Sequence, residues 1–374
     1  MKTIELDARD LLSAVRLVSL AIERRNTIPI LGQMRFTASK GFVKLAGTNL
    51  DQIIETTVAG IGAGGFDLML PPKIVERFLA GSSGTVSIAV SGGKKPELTL
   101  SNGNAEMRVE VESLMPVEDW PDQLSNLKPA QDYTLPESEI HRALALCRPC
   151  ISTEETRYYL NGAFIHSING KLAVVATDGH RLTLVKTEIE ADLPPDQDNH
   201  SQCGFILPNP AVDTLSHVTR KGGNASVRMR TFASSWVQFT HPTATITTKY
   251  IDGKFPDYNK VIPKAEPKLG ATLKPADVAR FSNPTRYYDG IKCVVIDPKS
   301  NTASQKQSHE GATITAKLSG ETMGETPFGF NAKYLKDFTK ILGDITLKAE
   351  NKGAPFIISN GDESVVAVQM PMRV

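Results

Sequence analysis

Apolar and polar positions alternate on both sides of a polar cluster between residues 172 and 189. Leu172, Val174 and Ala176 form one run, and Leu182, Leu184 and Val185 the next. The pattern predicts two strands joined through Thr177-Asp178-Gly179-His180-Arg181. Asp-Gly is a tight-turn dipeptide, because glycine enters the left-handed backbone region without a Cβ clash. Similar patterns recur along the chain as three repeats. Each opens with a short strand and an amphipathic helix: Thr3–Leu6 then Asp10–Ile22, Tyr133–Pro136 then Glu137–Cys147, and Ala271–Leu273 then Pro275–Phe281. A hairpin follows in each: Ile30–Thr37 with Phe42–Leu45, Leu160–Ile168 with Leu172–Val175, and Gly290–Asp297 with Ala312–Leu318, the last across a polar loop at Pro298–Gly311. Next come a strand and a second helix: Phe66–Leu70 with Pro71–Leu79, Gly204–Leu207 with Pro208–Val218, and Phe328–Phe330 with Asn331–Leu342. Two or three more strands close each repeat, and the chain's final strand is Val365–Met370. The expected fold class is α+β, each repeat holding two helices and mainly antiparallel sheet. Linkers fall at Pro121–Asp132 and Pro256–Gly270, and a further loop at Asp192–Gln202.

Charge changes the picture more than composition does. The net charge of +1 excludes a uniformly basic surface but permits a segregated basic face. Lys73 and Arg77 lie four apart in one helix, and Lys333, Lys336 and Lys340 share a face in another. His217, Arg220 and Lys221 cluster at a third helix end, and Arg9 and Arg16 lead to Arg24 and Arg25. A solvated helix face often carries such charges. Their recurrence in matching helices suits a partner with repeated negative charge, a phosphate backbone. No apolar run reaches membrane-spanning length and the start of the chain has no signal core, so the expected location is the cytoplasm.

Several short motifs bear on chemistry. Asp178 and His180 invite a catalytic reading; the alternative is a structured turn whose Asp accepts backbone hydrogen bonds. Cys147-Arg148-Pro149-Cys150 is a CxxC that closes a helical pattern, where a redox pair would open one, and no second Cys/His pair completes a zinc site. Gly60–Gly65 matches GxGxxG, but a strand pattern follows it, so no helix N-terminus awaits a pyrophosphate; it reads as a loop. No catalytic constellation, metal or cofactor is called.

The blocks Ala176-Thr177-Asp178-Gly179-His180-Arg181-Leu182, Arg157-Tyr158-Tyr159-Leu160-Asn161-Gly162, Phe255-Pro256-Asp257-Tyr258, Pro29-Ile30-Leu31-Gly32 and Met370-Pro371-Met372-Arg373-Val374 resemble the bacterial DNA polymerase III β subunit family, the sliding clamps, in family order across almost the whole chain. The resemblance implies three clamp domains, at residues 1–125, 131–255 and 256–374, in a head-to-tail homodimer that closes a six-domain ring around duplex DNA. Such a protein is no enzyme; it makes the polymerase processive. The resemblance implies a pocket for partner peptides formed by Leu160, Thr177, Gly179, His180, Arg181 and Leu182, with Pro256, Lys260, Val261 and Tyr288. Asn331, Tyr334, Val368, Met370, Pro371, Met372 and Arg373 complete it. Apolar floor residues with a polar rim suit a short peptide, and methionine adapts to varied partners. Implied partners are the polymerase III α subunit, the clamp loader and other proteins with a clamp-binding motif, including repair polymerases, mismatch repair proteins and ligase. DNA contacts are implied for Arg24, Arg25, Lys73, Arg77, Arg157, Tyr158, Tyr159, Lys336 and Lys340. The dimer contact is implied for Met107, Val109 and Val111 on one side and Phe281 on the other. Within the family pattern, Asp178 and His180 shape a turn.

Four features depart from that pattern. Lys260 stands where the family often has arginine, which removes a bidentate contact. Tyr288 replaces a frequent phenylalanine, and Glu154 sits where a neutral residue is usual near DNA. The first helix of the third repeat is about one turn short before Ser282-Asn283-Pro284. The last feature motivates the alternative of a clamp-like interaction protein that closes no stable ring.

Overall fold

The structure is a computed structural model. It describes residues 2–23, 27–92, 95–125, 127–193, 195–196, 199–220, 223–282, 293–306 and 313–374, with backbone alone at 195–196, 199–203 and 282. The chain folds into two compact units, Met1–Ser138 with Asp213–Tyr250, and Glu139–Val212 with Ile251–Val374.

The first unit is built on one antiparallel sheet. Its path runs from the edge strand Glu106–Glu110 through Glu97–Ser101, Thr85–Val90 and Lys2–Asp7 to the long strand Gln52–Gly62. It continues through Ala244–Lys249, Trp236–His241 and Ser226–Phe232 to Pro129–Pro136. Thr245 pairs with Glu55 and Ile246 with Ile54, so sheet from the first repeat continues without a break into strands of the second. Helix α1 (Ala8–Val18) begins where the Asp7 carboxylate accepts the backbone N–H groups of Arg9 and Asp10, at 2.8 and 3.1 Å. Its Leu11, Val15 and Val18 are buried at helical spacing. Helix α2 (Pro72–Leu79) has proline in its first turn, where no N–H is needed, and buries Val75 and Leu79 in the same core.

Helices α3 (Glu137–Cys147) and α4 (Asn209–Val218) follow the second-repeat pattern. The second unit holds a ten-stranded and a four-stranded sheet. In the larger sheet Lys171–Thr177 pairs with Arg181–Glu190, which pairs in turn with Val365–Gln369. Leu182 faces Val368 and Arg181 faces Gln369 across that ladder. The last strand of the chain thereby lies beside the turn at residues 177–181. Helices α5 (Pro275–Ser282) and α6 (Ala332–Leu342) pack on each other. Phe328, Phe330 and Phe356 form the aromatic heart of this core, ring centroids 4.8 to 5.7 Å apart.

Five sequence expectations need correction. The loop expected at Asp192–Gln202 holds the short strand Pro195–Asp196 and the start of the strand Asn199–Pro208. Gln52–Gly62 is an eleven-residue strand, so the first half of the Gly60–Gly65 stretch is sheet and not loop. Its glycines answer to packing: a Cβ on Gly60 would lie 2.5 Å from Leu6 Cδ2 and 2.8 Å from the Glu5 carbonyl oxygen. The polar run after Asp297 contains the strand Thr302–Lys306, in which Ala303 and Gln305 are buried and the rest face outward. Pro29–Gly32 is a 3-10 turn, and the first hairpin starts only at Met34. The linker expected at Pro121–Asp132 ends early, because the strand Pro129–Pro136 begins inside it.

Candidate functional site

The turn at the centre of the sequence pattern is a hydrogen-bonded knot. Oδ1 of Asp178 accepts the backbone N–H groups of His180 and Arg181, at 2.9 and 3.0 Å. The Thr177 hydroxyl donates to the Arg181 carbonyl at 2.7 Å and accepts the Gly179 N–H at 3.1 Å. Gly179 has φ +87°, which favours glycine, and a Cβ there would lie 2.3 Å from Nη1 of Arg157, so a side chain would also push that guanidinium aside. Arg181 runs inward and is only 8% exposed. Its Nε donates to Asp178 Oδ2 at 2.9 Å, its Nη1 to Asp337 Oδ2 of α6 at 2.7 Å, and its guanidinium lies 4.1 Å from the Tyr334 ring centroid. The knot is thus tied to α6 by a buried cation with three partners.

Beside this turn opens a cleft of about 260 Å³. Leu160, Thr177, Gly179, His180, Arg181 and Leu182 line it, together with Pro256, Val261, Val368 and Met370. Its apolar floor follows from strand alternation: Leu182 and Val368 pair across the ladder and point to one face. The Met370 N–H donates to the His180 carbonyl at 2.8 Å, which seats the last residues against the turn. Val261 and Met370 remain 44% and 40% exposed, an accessible apolar surface at a concave site.

The cleft gathers ten of the residues named for the pocket. Lys260 lines an adjoining cavity instead. Asn331 caps α6 by accepting the Lys333 N–H at 3.0 Å, and Tyr334 supports Arg181 from below. Pro371 and Met372 are half-buried; the Met372 N–H donates to the Gly329 carbonyl at 2.7 Å, and Arg373 is exposed. Tyr288 lies outside the described residues. Four further lining residues were not assigned to the pocket from sequence: Arg157, Tyr159, Asp257 and Tyr258. All four stand in the blocks that carried the resemblance, which was the available signal.

Two family models match, DNA polymerase III beta subunit N-terminal domain over residues 3–125 and central domain over residues 134–257. The chain is 30% identical to the beta sliding clamp of Caulobacter vibrioides, over 97% of this chain and 98% of that one. The chain belongs to the DNA polymerase III beta subunit family. The Escherichia coli beta sliding clamp is 27% identical with 97% of each chain covered. A crystal structure of the Caulobacter crescentus clamp with polyethylene glycol bound superposes with a TM-score of 0.86 at 27% identity, covering 100% of this chain and 99% of that one. The sliding clamp of Bartonella birtlesii bound to griselimycin gives 0.86 at 25% identity, with both chains fully covered.

Sliding clamps of this family are non-catalytic processivity factors. The Asp178 carboxylate accepts two backbone N–H groups and pairs with Arg181, which makes it the centre of a structured turn. Cys147 and Cys150 are free and fully buried. Burial pushes the Cys147 thiol well up and that of Cys150 up to about 12. The CxxC is therefore packing: Cys147 donates to the Val174 carbonyl at 3.3 Å, and Cys150 lies 3.2 Å from the Thr183 hydroxyl.

Of the residues named for DNA, Lys73 and Arg77 are exposed on α2, and Lys336 and Lys340 on α6. Arg16, counted in the basic stripe of α1, pairs with Glu76 at 2.9 Å. Arg157 pairs with Glu154 at 2.8 Å, and that hydrogen-bonded guanidinium holds the Glu154 carboxyl below its ordinary range. Tyr158 is 54% exposed and meets the half-buried Tyr159 edge to face at 5.9 Å. Arg24 and Arg25 lie outside the described residues. Met107 and Val109 sit on the edge strand Glu106–Glu110, half-buried against the core, with Val111 in the 3-10 turn that follows. Phe281, in the last turn of α5, is 2% exposed inside the core. No described helix is long and apolar enough to cross a membrane.

Proposed function

We propose that this chain is a DNA sliding clamp: two copies close head to tail around duplex DNA and tether a polymerase through the cleft beside the turn at 177–181. The observation that carries the reading is that cleft. A family member presents an apolar floor from Leu182 and Val368, an accessible Met370 and Val261, and a turn locked by Arg181. It would take a short, largely apolar peptide segment from the polymerase α subunit, the clamp loader, and repair polymerases, mismatch repair proteins or ligase. Asn331, Tyr334, Pro371, Met372 and Arg373 would extend the same surface. The division into domains at 1–125, 131–255 and 256–374 is part of this reading. So are cytoplasmic location and phosphate contact through the exposed lysines and arginines of α2 and α6. Contacts to phosphates carry no sequence information, so every register along the duplex is equivalent and the clamp can slide.

The dimer contact would join the edge strand holding Met107 and Val109 to the region of α5 in a second copy, a heterologous contact that closes after two steps. A specific observation favours keeping a second reading beside it. The sequence sets Pro284 close behind Phe281, where a proline limits a helix and would shorten one side of that contact. Light scattering separates the two. A mass of twice 40.6 kDa at micromolar concentration supports the clamp, and a monomer leaves a clamp-like peptide-docking protein. Griselimycin, bound in the Bartonella birtlesii structure, is the probe for the cleft: binding should be lost in Met370→Glu.

A further inference from the structure

The cleft shares a wall with a larger cavity of about 970 Å³. Tyr159, Pro256, Asp257 and Tyr258 line both. The floor of the larger cavity is an aromatic stack. Phe164 lies nearly parallel to Phe255 at 5.1 Å and to His166 at 4.7 Å, and Tyr258 leans on His166 at 5.6 Å. Nδ1 of His166 is 3.3 Å from the Ser167 carbonyl, which can only accept, so Nδ1 carries the proton. Nε2 then accepts from the Tyr258 hydroxyl at 3.2 Å. Burial lowers the His166 pKa to about 4, so this floor is uncharged at neutral pH.

The rim has a different character. Lys254 is exposed and has no ion pair among the described residues. Lys260 is 80% exposed and reaches Asp257 at 3.5 Å. The chain entering Lys254 is held close, since a Cβ on Gly253 would lie 3.1 Å from Tyr159 Cβ and 3.4 Å from Tyr158 Cε2. Two ammonium groups against one carboxylate therefore border a basin that adjoins the cleft across the Pro256–Tyr258 wall.

We propose that this basin takes an acidic stretch adjoining the apolar segment held in the cleft, so that one partner chain crosses the Pro256–Tyr258 wall and uses both. The inference rests on the docking reading above. The shared wall of Tyr159 and Pro256–Tyr258 assigns the occupant to the same peptide, and the excess of lysine over carboxylate assigns its charge. The partly exposed Tyr159 and Ile168, which also line the basin above the buried stack, give apolar contact to the stems of glutamate side chains while their carboxylates meet the rim.

Fluorescence anisotropy on the full chain tests it with three labelled probes: an apolar peptide of leucine and phenylalanine, the same peptide extended by four glutamates, and the same extended by four serines. Extensions are made at either end. The glutamate extension at one end should bind about three- to tenfold tighter than its serine counterpart at low salt, and the difference should shrink towards 1 M salt. In the double variant Lys254→Glu, Asn259→Glu the advantage should vanish, while the unextended peptide binds as before and the thermal midpoint is unchanged. Equal affinity of glutamate and serine extensions at both ends, or an advantage that survives in the variant, overturns the inference. Failure of the unextended peptide to bind overturns the docking reading itself.

Discussion

Replacing Arg181 by methionine keeps most of the stem volume and removes the cation from a site that is 8% exposed. Two carboxylates lose their partner. Asp178, whose side chain is 14% exposed, retains the backbone N–H groups of His180 and Arg181; Asp337, 29% exposed, has no other partner among the described residues. Breaking one side of a buried pair costs about 3–5 kcal/mol, and the partial exposure of Asp337 points to about 3. Asp337→Ala removes one charge-assisted hydrogen bond and leaves Arg181 with Asp178 and Tyr334, for about 2 kcal/mol. With both changes the orphaned carboxylate of α6 is gone too, so the double variant should cost about 3.5 rather than 5. The coupling is then about 1.5 kcal/mol. Urea unfolding of all four proteins, at one protein concentration so that association is held constant, gives these numbers. Additivity within about 0.5 kcal/mol would refute the claim that Arg181 ties the turn to α6.

Three further outcomes follow from the same geometry. Gly179→Ala should weaken griselimycin or peptide binding, because φ +87° disfavours any side chain and the new Cβ displaces the Arg157 guanidinium that lines the cleft; unchanged affinity in a titration would contradict the account of the turn. Cys147 and Cys150 should resist an aromatic disulfide reagent in native protein and react in urea, and fast stoichiometric labelling without denaturant would contradict their burial. His166 should make stability depend on pH: its folded pKa of about 4 lies below the ordinary 6.5, so the unfolded chain binds the extra proton between those values. Stability from this group is complete above pH 6.5 and falls by about 3 kcal/mol as pH drops towards 4, a decline that His166→Gln should flatten.

Much of this fold was legible wherever one face of an element is buried. Phe66–Leu70 and Glu137–Cys147 have the bounds that alternation or helical spacing gives. The strand Gln52–Gly62 escaped because Glu55, Thr56 and Thr57 interrupt its apolar run and its glycine-rich end imitates a loop, although it pairs on both sides. Thr302–Lys306 escaped because its inward residues are Ala303 and Gln305, which carry little apolar signal. At the site, residues 177–182 were readable as a turn between strands. No local rule reveals that Val368 and Met370 lie beside it, since that proximity depends on pairing between strands some 180 residues apart, with Arg181 opposite Gln369. Nor does spacing show that Arg16 and Arg157 spend their charge on Glu76 and Glu154.

The most direct test of clamping is retention on DNA of different topology. The protein is loaded onto nicked circular duplex, purified by gel filtration, and half the sample is linearised with a restriction enzyme. The account predicts that the protein stays with the circles through moderate salt and is lost from the linear molecules by sliding off their ends. Equal retention on both, or equal loss from both, would contradict it.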